Sequence, residues 1–138
     1  MAGNGKGPKF IITAERFPEE IRNILEDYEK DCRELVEKAA KKAARDAVKD
    51  LKANSPSRHG DYAGSWQTTT TKNELNEYTL VVRNKDHYQL THLLEHSHVT
   101  PKGNYTTPIP HIKPAEEKAN EQFYNDVVKG IKEGLNLS

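Results

Sequence analysis

Residues 18–53 carry an unbroken helical period, and that stretch constrains the fold more than any other. The steps between Ile21, Leu25, Tyr28, Cys32, Leu35, Ala39, Ala43, Ala47 and Leu51 are all threes and fours, so these side chains share one face of an α-helix. Pro18 suits a first helical position, and Glu19 and Glu20 favour the positive end of the helix dipole. Ser55-Pro56 stops the helix near Asn54, because the residue before a proline is pushed out of the helical region. A helix of about 35 residues is roughly 50 Å long, longer than one small core needs. Its stripe thins to alanine from Ala39 onward, which allows close approach of the chain's own sheet or of another subunit.

The remainder reads as a hairpin, a long loop and a last helix. Tyr62 to Lys72 includes Trp66 and the threonines Thr68 to Thr71, and Tyr78 to Arg83 is rich in β-formers. With Asn73 and Glu74 between them, they predict an antiparallel hairpin. Leu90, Leu93 and Leu94 fit a short helix over 88–96, and the prolines of 97–112 predict a loop. Pro114 opens a helix with Ala115, Ala119, Phe123, Val127, Val128 and Ile131 on its apolar face, ending near Gly134. The expected fold class is α+β: a long N-terminal helix and a C-terminal helix packed on a small antiparallel sheet. Trp66, Leu80, Val82, Leu93, Leu94, Phe123 and Val127 are the expected core partners of the first helix. Residues 1–12 are expected to be a flexible Gly/Lys-rich arm, ending in the apolar patch Phe10, Ile11 and Ile12, suited to pairing with a sheet edge or a neighbouring subunit, with residues 13–138 as one domain.

Composition excludes several classes. Lys plus Arg and Asp plus Glu both number 21, so the formal net charge is zero. Generic nucleic-acid binding needs net basic surface, so a sequence-specific nucleic-acid partner is not expected. No apolar run approaches the ~20 residues of a membrane span. The first residues lack the apolar centre of a signal peptide. The single cysteine, Cys32, excludes an internal disulfide and falls on the helix stripe, where core packing explains it.

His92-Leu93-Leu94-Glu95-His96 matches H-x-x-E-H, the inverted zinc-protease pattern. On a helix, His92 and His96 are one turn apart and would share a metal, with Glu95 as base. Such an enzyme needs a further carboxylate ligand well downstream and a large cleft. Only 42 residues follow His96. An amphipathic turn with leucines inward is the better account, so no metal, cofactor or catalytic residue is assigned. A small metal-binding hydrolase on His92, Glu95 and His96, and a regulatory nucleic-acid-binding module, remain the alternatives. Arg58-His59-Gly60-Asp61 reads as a polar turn with a local ion pair.

Four segments in order carry a family resemblance. The long Ala/Lys/Glu helix comes first, followed by Ser55-Pro56-Ser57-Arg58-His59-Gly60-Asp61-Tyr62-Ala63-Gly64-Ser65-Trp66. Tyr88-Gln89-Leu90-Thr91-His92-Leu93-Leu94-Glu95-His96 is third, and Ile109-Pro110-His111-Ile112-Lys113-Pro114-Ala115 opens the last helix. The pattern resembles the bacteriophage tail-component family of minor head–tail joining, or tail-completion, neck proteins of long-tailed phages and prophages. Two positions depart from it: Ser97 stands where the family often has glycine, and His59 where threonine is frequent. The resemblance implies a non-enzymatic virion protein assembled in the bacterial host cytoplasm. Its implied partners are other copies of itself in a ring, phage neck or connector proteins, and tail proteins. Phe10, Ile11, Arg58, His98, Lys102, Asn104 and Tyr105 are the expected assembly contacts, since rigid scaffolds place recognition on loops and arms.

Overall fold

In a computed structural model, the described residues are 9–54, 65–84, 101–104 and 112–134. Strand β1 spans Lys9–Thr13, helix α1 Glu19–Asp27 and helix α2 Glu29–Asn54. Strands β2 (Trp66–Lys72) and β3 (Thr79–Asn84) follow, and helix α3 spans Ile112–Gly134. The sheet order is β1-β3-β2, antiparallel throughout. The fold is α+β, with the long helix, the C-terminal helix and the small antiparallel sheet that the sequence predicts. The expected short helix at 88–96, with Leu93 and Leu94, lies outside the described residues, as does most of the loop 97–112.

The sheet packs one face on the helices. Register sets Phe10 opposite Val82 and Ile12 opposite Leu80. All four are buried, and they join Trp66, Val36, Leu51, Phe123 and Val127 in one core. Residues 9–12, expected to close the arm, therefore belong to the sheet. The cause is period-2 alternation: Phe10 and Ile12 turn inward together, and the apolar patch pairs with an edge of the chain's own sheet.

The expected single helix is two. Tyr28, at φ −117° and ψ 43°, closes α1, and the chain restarts with Asp31 and Cys32 donating to the Tyr28 carbonyl. The break lets α1 lean on the turn between β2 and β3 while α2 stays over the sheet. Arg22 Nε donates to the Asn76 carbonyl at 3.3 Å, and Asn76 Nδ2 donates to Glu26 at 3.1 Å. It also moves Tyr28 off the stripe: the residue is 44% exposed, while Val36, Ala40 and Ala44 are buried beside the predicted Cys32, Ala39, Ala43, Ala47 and Leu51.

Helix α3 runs against α2 at close range. A Cβ at Gly130 would lie 2.3 Å from a Leu35 methyl, so glycine permits the approach. Lys118 Nζ meets Asp50 at 3.0 Å and Gln122 donates to Asp46 at 2.9 Å along the same seam. Phe17 fills the corner beneath, its ring 4.9 Å from Phe123 and 5.4 Å from Tyr124.

Candidate assembly surface

The solvent face of the long helical segment is divided by charge along its length. Residues 19–37 hold eight carboxylates and three basic side chains, whereas 38–54 hold six basic side chains and two carboxylates. Those two carboxylates, Asp46 and Asp50, are turned to α3 by the contacts above. What faces water on the distal half is Lys38, Lys41, Lys42, Arg45, Lys49 and Lys52, all exposed. The proximal half presents Glu26, Asp27, Glu29, Asp31 and Glu34, also exposed. Like charges along one face repel by a few tenths of a kcal/mol per neighbouring pair. On the proximal half Arg33 pairs with Glu29 one turn away at 3.1 Å, so the small cost of the division falls on the distal basic stripe.

Beside the basic stripe, α2 and β2 form a groove of about 520 Å³. Ala44, Val48, Trp66 and Leu80 make its apolar part, Thr68 and Thr70 one wall, and Lys41 and Arg45 the rim. Tyr28 sits at the α1–α2 junction, in the acidic half of the helical segment, and is the exposed large apolar side chain among the described residues. A second cleft runs from Tyr28 past Asp31, Glu34 and Leu35 to Gly130.

Among the described residues, the sheet has one closed edge and one open one. Along β1, the Ile11 amide donates to Glu116 at 3.1 Å and the Thr13 amide to Asn120 Oδ1 at 3.1 Å, while Asn120 Nδ2 donates back to the Ile11 carbonyl at 2.8 Å. Two side chains of α3 therefore occupy the place of a fourth strand. Amide direction alternates along an antiparallel strand. With Ile11 and Thr13 directed outward, Thr69 bonds inward to β3, and Thr68 and Thr70 direct their backbone groups away from the sheet. A bulge between Thr70 and Lys72 ends the regular pairing.

At one end the two edges are tied together. Lys72 Nζ on β2 meets Glu15 at 2.9 Å, and Glu15 also accepts from Thr79 of β3 at 3.4 Å. The Lys72 hydrogen bond holds the Glu15 carboxyl below the usual carboxylate range, and the same bond raises the Lys72 ammonium. Burial pushes the Cys32 thiol up, which keeps it protonated and unreactive at neutral pH.

Four of the expected contact residues are among those described. Phe10 is 1% exposed and serves the subunit's own core. Ile11 is half-buried, with its backbone held by α3. Lys102 and Asn104 are exposed, flanking Gly103 at φ +85°, a conformation that favours glycine. Arg58, His98 and Tyr105 lie outside the described residues, as do His92, Glu95 and His96. Among the described residues no three His, Cys, Asp or Glu side chains group as metal ligands, and no helix is long and apolar enough to cross a membrane. The residue-level expectations missed the charge division and the groove. A count of charge by segment shows the first; the second needs α2 and β2 brought together.

The class defined here is a small α+β protein with a charge-divided helical segment and an apolar groove beside it. The chain belongs to a bacteriophage family: residues 19–96 match the family described as "Bacteriophage HK97-gp10, putative tail-component". The match runs from the start of α1 through β3 to His96, and so includes both halves of the divided helix. No curated protein and no solved structure matches the chain.

Proposed function

We propose that the protein is a structural component of the phage particle at the head–tail junction, completing the tail or joining it to the head by assembling into a ring. The family match over 19–96 carries this reading. The divided helix supports it, since a subunit that docks on copies of itself gains from opposite charges at separate places on its surface. Its partners are further copies and the neck, connector and tail proteins of the particle, and its place is the virion, after assembly in the host cytoplasm. No catalysis is part of the role. Lys102, Asn104, Arg58, His98 and Tyr105 are candidate contacts to neighbouring proteins.

The test is a phage or prophage lacking this gene product. Filled heads and tails are expected to accumulate unjoined, and the full-length gene supplied in trans is expected to restore infectious particles. Normal joining without the protein would refute the role. The competing hydrolase reading fails or survives on metal content: stoichiometric zinc that resists dialysis, lost in His92→Ala, would favour it.

A further inference from the structure

Of all the features on the described surface, the acidic corner at Tyr28 and the groove between α2 and β2 complement each other. The corner offers an aromatic residue, 44% exposed, next in sequence to Glu26, Asp27, Glu29 and Asp31; Glu29 is paired with Arg33 at 3.1 Å, and Asp31 and Glu34 line the cleft beside Tyr28. The groove offers an apolar floor of Ala44, Val48, Trp66 and Leu80 under Lys41 and Arg45. Within one chain they cannot meet. Tyr28 and Arg45 are separated by 17 positions of essentially continuous helix, roughly 25 Å at 1.5 Å per residue.

We infer that the occupant of the groove is the Tyr28 corner of a second copy of this chain. The inference rests on the assembly reading above and names its contact. Tyrosine inserted into a pocket with its hydroxyl at the rim is a common interface anchor. The carboxylates around it would face Lys41 and Arg45 across the rim. There they would fix orientation and speed encounter more than they add affinity. The two surfaces are different patches, so the contact is heterologous and leaves each copy with one free corner and one free groove. That property suits repeated addition around a ring. A nucleic-acid strand is the less favoured occupant of the basic stripe. The chain has no net charge, and its acidic half would repel phosphate beyond the stripe's length.

The experiment uses the full chain and two charge-reversed variants at exposed positions. Lys41→Glu/Arg45→Glu reverses the rim, and Glu26→Lys/Asp31→Lys reverses the corner. Sedimentation at low salt is expected to show self-association of the parent. Each variant alone is expected to associate roughly tenfold more weakly or worse, and an equimolar mixture to recover, because each reversed surface then meets its opposite. Tyr28→Ser is expected to weaken association at high salt as well, where exposed charges are screened. Zero-length carbodiimide cross-linking of mixed ¹⁴N and ¹⁵N copies is expected to join Lys41 to carboxylates of residues 26–31 between differently labelled chains. Circular dichroism checks that the variants keep the fold.

The contact is overturned if the mixture does not recover, or if Tyr28→Ser associates like the parent. It is equally overturned if mixed-label cross-links are absent or fall elsewhere, or if the rim variant loses only binding to labelled duplex DNA. Those failures differ from failure of the phage role. Should the rim variant restore infectivity to particles lacking the protein, the contact falls and the role stands; should particles join normally with no protein at all, the role falls.

Discussion

Along β1 the outward amides of Ile11 and Thr13 meet Glu116 and Asn120 of α3; along β2 the outward backbone of Thr68 and Thr70 meets no such partner among the described residues. Exposed strand edges invite pairing with other chains. The first edge is blocked by side chains that imitate a strand, donor for acceptor. The second is left to threonines exposed on both faces, a bulge and a lysine. The difference follows from what each strand buries. β1 places Phe10 and Ile12 in the core, so a slip in its pairing would expose the whole inward face. β2 buries Trp66 alone and has little to lose from an open side. The open edge also borders the α2–β2 groove through Thr68 and Thr70, so the less protected side of the sheet is the side on which a docking surface is inferred.

Phe10 and Thr68 flank Val82 from opposite edges of the sheet. Phe10→Ala is expected to cost about 3–5 kcal/mol, the usual range for a buried phenylalanine, whereas Thr68→Ala is expected to stay within about 0.5 kcal/mol. Urea denaturation measures both. Comparable losses would mean that β2 is as deeply committed to the fold as β1.

Proline sharpens the direction of the β2 backbone. Thr69→Pro removes a ladder amide and strands its carbonyl partner on β3, at an expected cost of about 1–3 kcal/mol, with Thr68→Pro clearly milder because its amide points outward. Native-state hydrogen exchange is expected to agree, with the Thr69 amide slower than that of Thr68. The reverse ranking would invert the assigned edge.

Asn120→Ala takes away the acceptor for Thr13 and the donor for Ile11 at once. A cost of about 1–3 kcal/mol is expected from the stranded groups, with faster exchange at the Thr13 amide. Were exchange unchanged, α3 would not be what closes this edge.

The smallest effect concerns the tie between the edges. Lys72 lowers the Glu15 pKa on folding, so the pair's contribution is present above the ordinary carboxylate range and fades as pH falls through the lowered value. Lys72→Met is expected to flatten that acid limb slightly, since both groups are largely exposed and well screened. An unchanged acid limb would show the tie to be energetically silent.

What could be read from residues alone was what repeats locally. The period of threes and fours in 18–53, the β-formers of 66–72 and 79–84, and the stripe of α3 each announce an element, because side-chain direction follows from the backbone's own geometry. The order of motifs along the chain carries the family resemblance. Tertiary structure decided the rest. The helix breaks at Tyr28 so that α1 can reach the turn at Asn76, a residue 48 positions away, and that reach is what exposes Tyr28. Residues 9–12 became a strand because β3 offered a partner and the core had room for Phe10 and Ile12. The charges were visible in the chain, yet their meaning depended on α3 drawing Asp46 and Asp50 aside and leaving the lysines on one face. Period and propensity are short-range properties; which surface is left for a partner depends on contacts made across the whole fold.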